Sequence, residues 1–173
     1  MNDLHRTKPL PVVPAVGCLV VTESVLVRTH ELLQRVGAGN PAHEGLVWWL
    51  GRQVGIDTLV LACHRPPCQS GPRFVFTDEA AVGTGSRLAR SRRLGIVAQV
   101  HSHPGVDTRH SDGDDDIMLM PFAGMFSLVV GNYGRGGLLP EQGAGLHQFQ
   151  DGRWILTSSA EPALVVVPAE VSS

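Results

Sequence analysis

The amino-acid sequence predicts an α/β domain in which helices pack against a β-sheet. Short runs rich in β-branched residues, bounded by glycine and proline, recur along the chain and are typical of buried strands. Longer segments with apolar residues at helical spacing separate several of these runs. Strands that alternate with helices indicate a layered α/β architecture. The 173 residues, of which 43% are hydrophobic, suit a single domain with an ordinary core.

The first half of the chain is predicted to contain four strands and two helices. Thr22 can cap the first helix, whose apolar residues leave one polar face, and the glycine- and proline-rich segment 37–41 ends it. Asp78 or Thr84 can begin the second helix, which reaches about Arg93. The predicted strands are 15–21, 44–51, 58–63 and 74–76, and the first helix is 23–36. Strand 44–51 is continuously apolar after Glu44, which indicates that both of its faces are covered.

The second half begins with a predicted strand over 95–101. A helix over 112–120 is closed by Pro121, a buried strand follows, and the glycine-rich segment 132–145 is predicted to be a loop. Asp151-Gly152 is a strong hairpin signal between two short apolar runs. The remaining predicted strands are 125–130, 146–150, 153–156 and the edge strand 164–167. We expect residues 1–11 to be a flexible lead-in, 12–160 the domain and 161–173 a C-terminal tail.

Composition excludes several classes of partner. The net charge of −2 provides no general attraction to nucleic acid or to anionic membranes, and 5% aromatic residues leave little for base stacking. No run approaches the roughly 20 apolar residues of a membrane helix. Three cysteines, Cys18, Cys63 and Cys68, argue against a disulfide framework and favour the reducing cytoplasm.

Two histidines at the end of strand 95–101 indicate a metal site. His101 and His103 are two residues apart, so on a strand their side chains point to the same face. Pro104 and Gly105 end the strand directly after them. Asp114, near the start of the helix that follows, is the candidate third ligand. Two imidazoles and a carboxylate, with one position left open, match a catalytic zinc site, and they also suit ferrous iron.

A structural interpretation of the same segment is compatible with the metal site. Ser111 and Asp114 have the spacing of a helix capping box, with Asp in place of the usual Glu or Gln. The aspartates at 112 and 114–116 all favour a helix N-terminus electrostatically. A ligand at such a helix start is held rigidly, so capping and metal binding can coexist.

The pattern His101-x-His103-Pro104, then six residues, then Ser111-x-x-Asp114 resembles the JAMM motif of MPN-domain metalloproteases. These are zinc isopeptidases, many of which remove ubiquitin or ubiquitin-like proteins from conjugates. The resemblance covers roughly residues 16–158. It implies an MPN fold similar to that of cytidine deaminases, with a central mixed sheet flanked by helices. It also requires a glutamate on an early strand, and Glu44, before the apolar segment 45–50, fits that position.

The resemblance assigns a role to each of these residues. His101, His103 and Asp114 would hold Zn²⁺. Glu44 would act as the general base that takes a proton from water and returns it to the departing amine. Ser111 would help to stabilise the tetrahedral oxyanion. His110, directly before Ser111, is expected to be a loop residue rather than a ligand, and Trp48 and Trp49 are expected to be core anchors on opposite faces of their strand.

The leading functional hypothesis is a cytoplasmic zinc isopeptidase that cleaves after the C-terminus of a ubiquitin-like protein. The compact chain resembles bacterial members, some of which work with E1-like activating and E2-like conjugating enzymes in antiviral systems. A second hypothesis keeps the zinc site but releases amino acids or sulfur carriers from small ubiquitin-like proteins. A third is a non-catalytic MPN scaffold, which is disfavoured because the complete motif is present. A nucleoside deaminase is disfavoured because its His-x-Glu and Pro-Cys-x-x-Cys motifs are absent.

The arginines at 87, 90, 92 and 93 are predicted to form a solvated helix face, which could instead steer an acidic partner.

Overall fold

The computed structural model describes residues 6–117, 121–158 and 162–168. Its helices are α1 (Glu23–Gly37), α2 (Glu79–Ser91), α3 (Asp112–Ile117) and the single turn α4 (Gly131–Gly134), with a 3₁₀ turn at Pro140–Gln142. Its strands are β1 (Val12–Val13), β2 (Leu19–Thr22), β3 (Leu46–Val54), β4 (Asp57–His64), β5 (Gln69–Gly71), β6 (Phe74–Phe76), β7 (Gly95–Ser102), β8 (Phe126–Val130), β9 (Gly145–Gln150), β10 (Arg153–Thr157) and β11 (Leu164–Val167).

One mixed sheet of nine strands forms the centre of the fold, in the order β1-β10-β9-β8-β7-β3-β4-β2-β11. The middle strand β7 pairs antiparallel with β3 and parallel with β8. Strands β5 and β6 form a separate antiparallel hairpin. The predicted α/β class, with a central mixed sheet flanked by helices, is confirmed.

Alternating side chains of β3 pack into two separate hydrophobic clusters of the core. Val47 and Trp49 pack in the cluster that also includes Leu26 and Leu33 of α1. Trp48 packs in a second cluster that contains Ala89 of α2. Both tryptophans are fully buried, which confirms that they anchor the core on opposite faces, and Trp49 Nε1 donates to Thr29 Oγ1 at 2.8 Å.

Most predicted elements are present, with shifted ends. The predicted strand 44–51 begins at Leu46, so Glu44 lies just before it. Asp78, and not Thr84, caps α2, and its carboxylate accepts the Ala81 amide at 2.7 Å. Thr22 occupies the N-cap of α1 but makes no side-chain cap bond. Strand β5 lies in a segment predicted to be a loop, and β1 was not predicted, because both are too short to show periodicity.

The helix after the histidines, the hairpin and the C-terminal edge strand are all present, within the residues that the structure describes. The helix predicted over 112–120 is present as Asp112–Ile117, and residues 118–120 lie outside the described residues. Strands β9 and β10 form the predicted hairpin around Asp151-Gly152, and β11 pairs parallel with β2 at the edge of the sheet. Residues 1–5 of the expected lead-in, and residues 161 and 169–173 of the expected tail, are not described. Among the described helices, none has the length and apolar character needed to cross a membrane.

Helix α2 approaches the sheet through Gly85. A Cβ atom at this position would lie 2.2 Å from Cζ3 of the Trp48 ring. We expect Gly85→Ala to lower the free energy of unfolding by about 1–3 kcal/mol, because overpacking at a fully buried aromatic ring displaces the helix. Urea denaturation measures this change.

Gly83→Ala on the same helix is the matched control. Its new Cβ would come no closer than 3.5 Å, to Nη1 of Arg87, so the gain in helix propensity of up to about 1 kcal/mol should dominate. Equal effects of the two substitutions would contradict this packing at Gly85.

Candidate metal centre

Strand β7 delivers the two histidines to one end of the sheet. Its antiparallel register with β3 pairs His101 with Leu46, and the Ser102 amide donates to the Gly45 carbonyl at 3.0 Å. The Gly45 amide in turn donates to Ser102 Oγ at 2.8 Å. Continuing this register places Glu44 opposite His103. Opposed residues of an antiparallel pair share a face, so Glu44 and both histidines project to the same side.

A left-handed turn after β8 fixes the backbone of His103. Its amide donates to the Val130 carbonyl at 2.9 Å, and its carbonyl accepts the Tyr133 amide at 2.7 Å. Asn132 and Tyr133 both have φ near 55°, which turns the chain back toward the histidine. The turn starts at Gly131, and glycine is favoured there because a Cβ atom would lie only 2.9 Å from the Gly105 carbonyl oxygen.

The start of α3 supplies the carboxylate. Ser111 and Asp114 bond reciprocally: the Ser111 amide donates to Asp114 Oδ2 at 2.6 Å, and the Asp114 amide donates to Ser111 Oγ at 3.2 Å. This is the predicted capping arrangement with Asp in the acidic position. It orients the Asp114 carboxylate, whose other oxygen stays available.

Three side chains converge on one point. His101 Nε2 lies 3.2 Å from His103 Nε2, and the two nitrogens lie 3.4 and 3.1 Å from the oxygens of Asp114. The candidate ligand atoms of all three residues lie within 4.8 Å of one another. All three side chains are buried. The structure therefore brings together the complete ligand set predicted from the sequence.

The tautomer of His103 suits metal binding. Its Nδ1 lies 2.8 Å from the Asp107 carbonyl oxygen, which can only accept, so Nδ1 carries a hydrogen and Nε2, 3.1 Å from Asp114 Oδ2, is the nitrogen that a metal would bind in place of a proton. Metal-binding histidines are oriented by such an outer hydrogen bond. Asp107 is itself held by Arg109, whose Nε and Nη2 donate to its two carboxylate oxygens.

Electrostatics indicate that the cluster accommodates positive charge. Burial alone would lower the pKa of His103, but the hydrogen bond and charge of Asp114 raise it above its ordinary value. Burial alone would raise the pKa of Asp114, but the neighbouring His101 and His103 hold it far below its usual range. Nitrogen, nitrogen and oxygen donors around one buried point suit a zinc-like cation, so the residues present fit a metal ion.

Glu44 is a buried acid with one unpartnered oxygen among the described residues. Its Oε1 makes no hydrogen bond among the described residues, and burial raises the pKa of Glu44 to about 8. Its amide donates to the Gly71 carbonyl at 2.9 Å, so the β5–β6 hairpin holds its backbone. Buried carboxyl groups with raised pKa values are typical of functional sites.

A layer of aromatic side chains behind the centre was missed by the sequence reasoning. His110 is a loop residue, as predicted, but it is fully buried and stacks on His147 with ring centroids 4.1 Å apart. Its ring also lies edge-on to Trp154 at 5.0 Å and 5.6 Å from the His101 ring. Burial holds the pKa values of His110 and His147 well below the ordinary value. No motif links these residues in the sequence, because three separate segments contribute them.

The fold and the site thus define an α/β domain with a candidate His-His-Asp metal centre at the end of its central strand. The sequence profile of the Prok-JAB family, described as prokaryotic homologs of the JAB domain, matches residues 29–138. This span exceeds half of the chain and contains all five candidate site residues, so the chain belongs to the Prok-JAB family. The resemblance to JAMM/MPN domains is confirmed at this level.

The proteins that are similar to this chain include one curated relative and one solved structure. A protein of Sinorhizobium fredii (strain NBRC 101917 / NGR234) named probable metalloprotease y4jG is 32% identical over 102 residues, which are 56% of this chain and 62% of that protein. The match therefore spans less than two thirds of that relative. The solution structure of protein DSY2949 from Desulfitobacterium hafniense has a TM-score of 0.62 at 15% identity, covering 88% of this chain and 94% of the other. It shows a shared fold.

Removing the carboxylate should release the metal. We expect Asp114→Ala to weaken zinc binding by about 100-fold or more, because the ligand that neutralises the cation is lost. Metal content after dialysis against zinc, with affinity measured by chelator competition, checks this. Glu79→Ala is the control: Glu79 occupies the first turn of α2 as Asp114 occupies that of α3, but it is exposed. Equal zinc content in the two variants would remove Asp114 from the ligand set.

The raised pKa of Glu44 predicts a pH dependence of stability in the chelated protein. Between about pH 4.5 and pH 8 the folded state keeps a proton on Glu44 that the unfolded chain has lost, so stability falls as pH rises through this window. Glu44→Gln removes this loss. At pH 8 we expect the variant to be more stable than the parent chain by on the order of 3 kcal/mol, with no advantage below pH 4.5.

Urea denaturation of both proteins in EDTA across pH 4–9 measures this difference. Parallel stability curves for the two proteins would show that Glu44 is not a buried acid of raised pKa.

Proposed function

We propose that this protein is a zinc-dependent peptidase that cleaves the bond after the C-terminus of a ubiquitin-like protein. The observation that carries the proposal is the convergence of His101, His103 and Asp114 beside the buried acid Glu44, whose Oε1 has no hydrogen-bond partner among the described residues. The family membership and the relative named as a probable metalloprotease support hydrolysis.

Zinc is the proposed metal because a mixed set of two imidazoles and one carboxylate is typical of open catalytic zinc sites. A zinc ion held there supplies Lewis acidity that polarises the scissile carbonyl and makes water more acidic. The positive charge also favours the ionised form of the neighbouring Glu44, lowering its pKa from the value of about 8 in the metal-free protein.

Glu44 and Ser111 provide the remaining chemistry of amide hydrolysis. An ionised Glu44 accepts a proton from the attacking water and donates it to the departing amine, for which its buried position and its unpartnered Oε1 are suited. The Ser111 hydroxyl accepts the Asp114 amide, and its own hydrogen has no assigned acceptor among the described residues. It can therefore donate to the oxyanion that develops on the carbonyl.

The β5–β6 hairpin offers a place for an extended substrate. Within the described residues β6 pairs only with β5, and Phe74 and Phe76 on it are about half exposed while Val75 is buried. Gly71 at the end of β5 accepts the Glu44 amide, so the hairpin is continuous with the site. An extended C-terminal tail could pair with the free edge of β6 and extend toward the metal centre. Small residues, as found at the tails of ubiquitin-like proteins, suit such close approach.

Two biological settings are compatible with the proposed activity. E1-like and E2-like enzymes are the expected partners if the protein works in a bacterial conjugation system. In the alternative, the same site would release an amino acid or a sulfur carrier from a small ubiquitin-like protein. Three model substrates distinguish these settings: a ubiquitin-like tail joined to a protein by an isopeptide bond, to a protein by a linear peptide bond, or to a single amino acid. The substrate that is cleaved fastest indicates the setting.

Glu44→Gln should abolish cleavage while zinc stays bound. The amide cannot accept the proton from water, so we expect a loss of about 100-fold or more in kcat with near-parental zinc content. The assay follows a ubiquitin-like fusion on gels, with chelator and with zinc added back. Glu141→Gln, at an exposed acidic residue within the 3₁₀ turn, serves as the control. Parental turnover by Glu44→Gln would reject the base assignment, and cleavage in chelator would reject the metal dependence.

If the substrate tail docks on β6, a substitution there should change substrate binding without changing the chemical step. Phe76→Ser should raise KM about tenfold with little change in kcat, because it removes an apolar contact outside the reacting groups. Ile56→Ser, an exposed apolar residue of the β3–β4 turn, is the matched control. Equal KM values for the two variants would place the substrate elsewhere.

A further inference from the structure

A chain of hydrogen bonds crosses the loop that carries Ser111 and Asp114. Gln99 Nε2 donates to Ser127 Oγ at 3.4 Å, and Ser127 Oγ lies 2.8 Å from His110 Nε2. On the other side of the ring, His110 Nδ1 lies 3.3 Å from Asp115 Oδ1. Asp115 Oδ2 then pairs with Arg6 Nη2 at 2.5 Å. This series of hydrogen bonds joins β7 and β8 to the segment around Arg6.

The residues on either side of His110 determine which atom donates in each of these hydrogen bonds. The Asp115 carboxylate can only accept, so His110 carries its hydrogen on Nδ1, and Nε2 accepts the hydroxyl hydrogen of Ser127. A single neutral tautomer of His110 therefore satisfies both ends. The guanidinium of Arg6 closes the chain, and its second nitrogen, Nη1, donates to the Ser111 carbonyl at 3.2 Å.

The backbone of the loop is held at the same place. The His110 amide donates to His147 Nε2 at 3.2 Å while its ring stacks on the His147 ring. One residue before Ser111, the loop is thus held through both main chain and side chain. This support matters because Ser111 and Asp114 lie at the N-terminal end of α3, where the backbone amides lack partners within the helix and depend on contacts from outside it.

We propose that Arg6, Asp115 and His110 form a latch, and that these positioning residues hold Ser111 and Asp114 in the geometry that binds the metal. None of the three is a candidate ligand. The latch links the docking of the segment around Arg6 to the affinity of the metal centre. The proposal assumes that the centre binds a metal, but it does not depend on peptidase activity.

Arg6→Gln tests the latch with the least risk to folding, because the Arg6 side chain is 20% exposed and lies outside the core. We expect zinc affinity, measured by chelator competition, to fall about tenfold, the lower end of the range for outer-shell partners. Exchange of the Asp114 amide in the metal-free protein should become faster. Arg6→Lys keeps one charge beside Asp115 and should recover part of the affinity.

Arg28→Gln is the matched control, because Arg28 forms a comparable carboxylate pair with Glu31 on α1, at 2.8 Å. It should change neither zinc affinity nor amide exchange at Asp114. A loss of thermal stability in Arg6→Gln with unchanged zinc affinity would overturn the latch and leave a purely structural contact.

A second variant tests whether the residues act as one unit. His110→Phe keeps the stacked ring but loses both ring hydrogen bonds, and we expect a loss of zinc affinity at least as large as that of Arg6→Gln. The double variant should lose little more than His110→Phe alone, because one broken link already opens the chain. Independent, multiplicative losses would overturn the proposal. Since all of these readouts are metal binding and amide exchange, they stand apart from any failure of the proposed cleavage.

Discussion

The structure depends on bringing three candidate metal ligands and one further acid together in a buried space. His101, His103 and Asp114 place their ligand atoms within 4.8 Å, and all are almost inaccessible to water. Burying such groups is costly unless they pair with one another or with a cation. The surrounding fold supplies the restraint that keeps them in place: strand pairing for the histidines, a capping arrangement for the aspartate and a hairpin for Glu44.

The restraint is mostly backbone hydrogen bonding. His103 is held through its amide and carbonyl by β8 and the left-handed turn α4, and Gly45 is tied twice to Ser102. Such contacts do not depend on the metal, so the ligand atoms are arranged before an ion binds. A preorganised site loses less freedom on binding and discriminates better between geometries.

Glu44 shows the conflict between stability and the proposed chemistry. In the metal-free protein its burial favours the protonated acid, with a pKa of about 8, and ionisation destabilises the fold. Its Oε1, which has no hydrogen-bond partner among the described residues, would be free to take up a proton in the proposed reaction. A residue that lowers the stability of the fold is often retained because it is needed for function.

The sequence by itself determined the α/β class, the strand that delivers the histidines and the His-His-Asp set, because alternation along a strand and capping at a helix start are local properties. The position of Glu44 came from the family resemblance, and only the β3–β7 register places it opposite His103. The layer formed by His110, His147 and Trp154, the pairing of Arg6 with Asp115, and the short strands β1 and β5 required the tertiary structure. Their partners lie far apart in the chain, and no local pattern of residues records which of them meet.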